Sequence, residues 1–243
     1  SQANALVGTA SGDLGSSAFV MKLPGGDYLV RSSYWDNGAA VDAGAVTWGS
    51  GVTGVSGVIS STNSLVGTSK NDSVGFTVQI LSNGNYLVQS YGWDNGTATD
   101  AGAVTFGNGK TGVRGVVSSN NSLVGTSVGD NVGYTVSVLQ NGNYVVQTQK
   151  WDNGATVDAG AVTWGSGTSG VTGAISNTNS LVGTNANDKV GSTVELLDNG
   201  NFVVNSSYWN SQRGAFTWGD GKTGKFFDSS FNGIGGFVSG ADV

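Results

Sequence analysis

The chain repeats itself four times with a period of 58 residues, and no other feature limits its possible folds so strongly. Trp-Asp-Asn-Gly stands at Trp35-Asp36-Asn37-Gly38, Trp93-Asp94-Asn95-Gly96 and Trp151-Asp152-Asn153-Gly154, and a worn copy at Trp209-Asn210 keeps the spacing. Asn-Ser-Leu-Val-Gly-Thr begins at Asn63, Asn121 and Asn179, with Asn4-Ala5-Leu6-Val7-Gly8-Thr9 ahead of them. Ala-Gly-Ala-Val-Thr-Trp begins at Ala43 and Ala159; the second copy ends in Phe106, and the fourth is shortened to Gly214-Ala215-Phe216-Thr217-Trp218. The repeats run over approximately 4–62, 63–120, 121–178 and 179–243 of a single domain spanning 1–243. A unit this short cannot bury an apolar face alone, so each must pack on its neighbours.

Within a unit the pattern is that of strands. In the second repeat Phe76–Leu81 and Tyr86–Ser90 alternate branched and polar residues around Ser82-Asn83-Gly84-Asn85. Asn-Gly favours a two-residue type I′ hairpin turn, which predicts Leu81 opposite Tyr86 and Ile80 opposite Leu87. Ala101–Phe106 reads as a third strand, and Val113–Val117, extended through Leu123–Thr126, as a fourth. Large apolar residues fall on both faces of the hairpin, which predicts a sheet covered from both sides. The expectation is an all-β, β-propeller-like fold of four four-stranded antiparallel blades. The tail 224–240 aligns without gaps on 54–70, so the segments around Ala5–Thr9 and Ile234–Val238 are expected to overlap and close a ring.

Composition removes several function classes. Cys and His are both 0, which excludes disulfides, thiolate chemistry and histidine-dependent triads. The formal net charge of −6 and ten scattered basic residues argue against nucleic acid as a partner. No apolar run approaches the roughly 20 residues of a membrane span, so no membrane insertion is expected, and no signal peptide is visible. All but one (Glu195) of the 16 acidic residues are Asp, a turn former. A surface of Ser, Thr, Asn and Gly suits a secreted or surface-displayed protein, as a monomer or homodimer.

The unit resembles the FG-GAP repeat of integrin α-type propellers. Asp72-Ser73-Val74-Gly75-Phe76-Thr77-Val78 matches that pattern with Val74 in the Phe position, Asn83-Gly84 matches its turn, and Gly102-Ala103-Val104-Thr105-Phe106-Gly107 its later strand. It is also similar to tandem units of large secreted bacterial adhesin-like proteins. The resemblance implies a propeller and a surface role. The calcium loop of that family is not carried over, because its hairpin here reads Ser82-Asn83-Gly84-Asn85, without the carboxylates calcium requires.

The loops carrying Trp35, Asp36 and Asn37, then Trp93, Asp94 and Asn95, then Trp151, Asp152 and Asn153 are the candidate ligand-binding residues. An indole face can stack on a sugar ring, and Asp and Asn can hydrogen-bond its hydroxyls. Three equivalent loops would make a multivalent lectin or adhesin. The alternative is that these tryptophans pack between blades in a structural spacer or scaffold module. Trp48, Trp164 and Trp218 interchange with Phe106 and are read as core, where bulk rather than an indole N–H is needed. Asp42, Asp100 and Asp158, each six residues after a loop Asp, are weak metal candidates in a calcium-binding variant; no cofactor is otherwise expected. Asp72, Asp130 and Asp188 are read as turn formers. No carboxylate pair stands out from its repeat equivalents, so the expectation is a non-enzymatic recognition module.

Overall fold

Alternate residues along each strand point toward opposite neighbouring repeats, and that alternation builds the molecule. The structure, a computed structural model, describes residues 4–15 and 18–227. It opens with β1 (Leu6–Val7). Counted from one hairpin to the next rather than from Asn63 and its equivalents, the first repeat contains β2 (Phe19–Lys22), β3 (Tyr28–Ser32), β4 (Ala45–Gly49), β5 (Gly57–Val58) and β6 (Ser64–Val66). The second has β7 (Thr77–Ile80), β8 (Tyr86–Ser90), β9 (Ala103–Gly107), β10 (Gly115–Val116) and β11 (Ser122–Val124). The third has β12 (Thr135–Val138), β13 (Tyr144–Thr148), β14 (Ala161–Gly165), β15 (Gly173–Ala174) and β16 (Ser180–Val182). The fourth has β17 (Thr193–Leu196), β18 (Phe202–Ser206), β19 (Ala215–Gly219) and β20 (Phe226–Phe227).

In the second repeat β7, β8, β9 and β11 form an antiparallel sheet in that order. β10 leaves it. It pairs in parallel with β6 of the preceding repeat, Gly115 opposite Leu65 and Val116 opposite Val66. β15 joins β11 in the same way, and β5 joins β1. The fourth strand expected over Val113–Thr126 is therefore two strands serving two sheets. Asn121 causes the break: its Oδ1 accepts the Ser118 N–H (3.0 Å), and its Nδ2 donates to the Val116 carbonyl (2.9 Å). Together they close a turn between the two strands.

The second and third repeats each thus donate a short strand to the repeat before them, whereas β20 of the fourth pairs antiparallel with β19 of its own sheet. Among the described residues no strand joins the first repeat's sheet to the fourth's. The expected closed ring is not formed by these strands, and the segment around Ile234–Val238 that was to complete it lies outside the described residues. What they build is four small antiparallel sheets joined in series.

The hairpin turn also differs from expectation. The Gly84 N–H bonds to the Leu81 carbonyl (2.9 Å), and the Leu81 N–H bonds to the Asn85 carbonyl (2.8 Å). Gly84 has φ of 86° while Asn83 is not left-handed, so the turn is type I followed by a glycine bulge, not type I′. The extra loop residue shifts the register by one, placing Ile80 opposite Tyr86 and Gln79 opposite Leu87.

The core lies between sheets. Leu29, Val46 and Leu65 of the first repeat meet Val78, Tyr86 and Val88 of the second. Leu87, Val104 and Leu123 then meet Tyr144 and Val146 of the third. Val145, Val162 and Leu181 meet Phe202 and Val204 of the fourth. Each large side chain buried here contributes about 1.5–3 kcal/mol. Tyr86 lies across Gly107 on the neighbouring strand, where any Cβ would collide with its ring, so glycine is required opposite the aromatic. Burial raises the Tyr86 phenol pKa to about 12. Among the described residues no helix is long and apolar enough to cross a membrane.

Candidate functional site

The Trp-Asp-Asn-Gly loop is held almost entirely by its own backbone. The Trp93 N–H donates to Ser90 and the Trp93 carbonyl accepts from Gly102, while Asn95 and Ala98 exchange two backbone bonds of 3.0 and 3.1 Å. This small closed turn directs the indole inward. Trp35, Trp93 and Trp151 are only 2 %, 5 % and 4 % exposed. Trp93 belongs to the core between the first two repeats and Trp151 to the next, while Trp35 clusters with Ala45, Ile59 and Val66, a group on which Leu6 and Leu14 pack. The expected stacking platforms are therefore not presented to solvent, because a ring this large contributes more by filling a junction than by facing water. Their indole N–H groups are buried without a hydrogen-bond partner.

The polar members of the loop are engaged as well. Asp36, Asp94 and Asp152 each accept, through Oδ1, the backbone N–H of Asp42, Asp100 and Asp158, at 2.9, 2.9 and 2.8 Å. Asn37, Asn95 and Asn153 donate through Nδ2 to the carbonyls of Gly67, Gly125 and Gly183, at 2.8, 2.8 and 3.0 Å. In the first repeat Trp35, Asp36 and Asn37 do line a cavity of about 360 Å3 with Thr9, Ile59 and Ser60, though the indole presents almost no surface to it.

Asp42, Asp100 and Asp158 sit at φ of 55°, 53° and 51°, a left-handed conformation that Asp tolerates. Their carbonyls accept the N–H groups of Ser73, Asn131 and Lys189 from the following repeat. Lys189 also pairs with the Asp158 carboxylate at 3.7 Å. Among the described residues no group of three or more acidic side chains is placed to hold a metal ion.

A second set of carboxylates organises the loop from below. Asp13, Asp72, Asp130 and Asp188 are all buried. Asp72 Oδ2 accepts the N–H groups of Thr68 and Ser69, both at 2.8 Å, and its Oδ1 accepts that of Asp94 at 2.9 Å. Burial raises the pKa of Asp72 and Asp130 above the ordinary carboxylate value. Their three backbone donors oppose the rise, and the neighbouring charges of Asp94 and Asp152 add to it. For Asp13 burial also pushes upward, but the N–H groups of Asp36, Ala10 and Thr9 and the Thr9 hydroxyl outweigh it, so its pKa is lowered.

Trp48 and Trp164 use more than bulk, contrary to the sequence reading. Trp48 Nε1 donates to the Gly109 carbonyl (2.9 Å) and Trp164 Nε1 to that of Gly221 (3.0 Å), each in the following repeat. Asn141 and Asn143 also donate to Gly221 (both 2.8 Å), and at Gly167, where Phe106 offers no donor, Asn83 and Asn85 make the same two bonds (2.7 and 2.9 Å).

One feature escaped the search for repeated motifs because it is not repeated. Phe76, Tyr91 and Tyr134 form an edge-to-face row across the second and third repeats, with centroids 5.2 and 5.4 Å apart. Tyr134 borders a cleft of about 340 Å3 that includes Thr148 and Lys150. The equivalent positions carry Ala18 and Ser192 for the Phe76/Tyr134 site, and Ser33, Gln149 and Ser207 for Tyr91. Departure from the repeat is the signal that could have found it.

Compared with known families, residues 22–76, 80–134, 138–192 and 196–226 each match a profile described as a repeat of unknown function, DUF5650. The matches keep the 58-residue period and carry no link to the FG-GAP repeats that the motifs resemble. No curated protein matches the chain.

Proposed function

Because this chain belongs to the DUF5650 repeat family and contains four consecutive copies, we propose that it is an open array of sheets. We propose further that it acts as a structural spacer and display scaffold in a secreted or surface protein. One observation carries the reading: the side chains that recur from repeat to repeat, in three copies or four, are taken up by the framework. Trp93 and Trp151 fill the junctions between repeats, Asn95 and Asp94 tie down backbone, and Asp72 holds three N–H groups. Residues used this way are not available to bind a ligand in triplicate, so the geometry gives the multivalent lectin reading of these loops no support.

The open form, rather than a closed propeller, is supported by the junctions. Gly75, Gly133 and Gly191 lie so close to Val46, Val104 and Val162 of the preceding repeat that a Cβ on any of them would collide with a valine methyl. The sequence carries Ser17 at the corresponding glycine position and Phe216 at the corresponding valine position. Phe216 is 70 % exposed. Joining the fourth repeat to the first by the same contact would force two larger side chains into a space that accepts neither.

The chain has no Cys, so paired spin labels can be placed cleanly. Val52, Lys110 and Lys222 occupy the same position in the first, second and fourth repeats, and all three are exposed. For sheets stacked about 10 Å apart, the 52–222 distance in an open array should be close to three times the 52–110 distance. Equal distances would mean a closed ring of four and would overturn the proposal.

A further inference from the structure

The cleft beside Tyr134 combines three properties. Tyr134 is 72 % exposed, and its ring is held from one side by Tyr91 at an interplanar angle of 72°. A ring fixed at its edge and open on its face suits stacking on an apolar C–H surface. The cleft wall is amide-rich: Gln147, Gln149 and Asn131 line it, their NH2 groups donating to the Ser137 hydroxyl and to the carbonyls of Ser192 and Asp100, and Lys150 Nζ donates to Asn131 Oδ1 at 3.4 Å. Finally, Thr148 lines the same cleft, is 2 % exposed, and its hydroxyl has no hydrogen-bond partner. A buried hydroxyl without a partner carries a desolvation cost that a bound donor or acceptor would relieve.

An apolar face bordered by closely spaced hydroxyls is the chemistry of a pyranose ring. We propose that this cleft binds a single pyranose residue of a glycan, with Tyr134 stacking on its C–H face and Thr148, the oxygens of the glutamine amides and Lys150 meeting its hydroxyls. The volume of about 340 Å3 accommodates one sugar ring with room for its neighbour in the chain to leave through the open side. The full set stands once: the first and fourth repeats have Ala18 and Ser192 at the position of Tyr134, and the second keeps an aromatic, Phe76, but has Ser90, Tyr91 and Gly92 where the third has Thr148, Gln149 and Lys150. It adds recognition to the scaffold without depending on whether the sheets form an open array.

The test is saturation-transfer NMR on the whole chain with the methyl pyranosides of glucose, galactose and mannose, and with glucuronic acid. At least one should receive saturation from the protein. Its affinity should fall about tenfold or more in Tyr134→Ala, and by a similar factor in Thr148→Val, which keeps the side-chain shape. Since the Tyr134 ring is largely exposed, Tyr134→Ala should leave the melting temperature unchanged, and the loss then reports binding rather than folding. The proposal is overturned if none of the four sugars receives saturation, or if Tyr134→Ala binds as tightly as the parent chain.

Discussion

Asp72 Oδ1 accepts the backbone N–H of Asp94 at 2.9 Å, tying the opening turn of the second repeat to the loop 22 residues later. The bond recurs from Asp130 to Asp152 (3.0 Å) and from Asp188 to Asn210 (2.9 Å). It survives in the fourth repeat although that loop is shortened and winds through left-handed residues at Asn210 and Ser211. Asp130→Asn keeps one acceptor oxygen but turns an NH2 group toward backbone donors. The expected cost is about 1–3 kcal/mol, read as a lower urea midpoint at neutral pH.

The same carboxylates set a pH dependence. Asp72 and Asp130 have folded-state pKa values raised above the ordinary one, mainly by burial. Between the ordinary value and the raised one, the native state therefore holds more protons than the unfolded chain. Their contribution makes stability rise as pH falls through that window. Asp13, with its pKa lowered, contributes in the opposite sense: its stabilisation is present above the unfolded value and is lost as pH falls through the folded one. Urea midpoints from about pH 6 to about pH 4 should show a smaller gain on acidification in the Asp72→Asn, Asp130→Asn double variant than in the parent chain.

Trp93 separates packing from hydrogen bonding. Its Nε1 has no partner, so Trp93→Phe loses only part of the ring and should cost about 1–2 kcal/mol, whereas Trp93→Ala opens the junction between the first two repeats and should cost about 3–5 kcal/mol. Calorimetry of the two variants checks the ratio. Equal losses would show that the indole N–H matters more than its bulk.

Gly102 stands at φ of 77°, and any Cβ there would collide with the Val132 backbone of the next repeat. Gly102→Ala should cost about 3 kcal/mol or more, from the left-handed conformation and the forced separation of the second and third repeats together. Protection of the Val132 amide from hydrogen exchange should drop with it.

Asn141 Nδ2 donates to the Gly221 carbonyl at 2.8 Å across the last junction. Asn141→Asp sets a carboxylate against that carbonyl and should cost about 1–2 kcal/mol at neutral pH. The loss should shrink in acid, when the protonated side chain can donate again.

How far the fold could be read from sequence differed from one element to the next. The Tyr86–Ser90 strand was legible because its alternation and its flanking glycines are local properties. The departure of Gly115–Val116 to the preceding sheet was not, since a two-residue strand has no periodicity and its partner, Leu65–Val66, is some fifty residues away in the chain. The hairpin shows a subtler limit: Asn83-Gly84 marked where the chain turns, but one residue more in the loop moved every cross-strand pair. At the candidate site, the repeated Trp93-Asp94-Asn95 was conspicuous because it is structural. The Tyr134 cleft was obscure because Phe76, Tyr91, Tyr134 and Lys150 belong to no shared motif and meet only when two repeats are packed together.

The short parallel strands that the second and third repeats give their predecessors make those two junctions alike. A stretch of 58 residues copied or deleted in frame would find the same partners before and behind it. Molecules of this type can therefore change length through recombination between neighbouring copies, with no new side-chain fit to be invented at the splice.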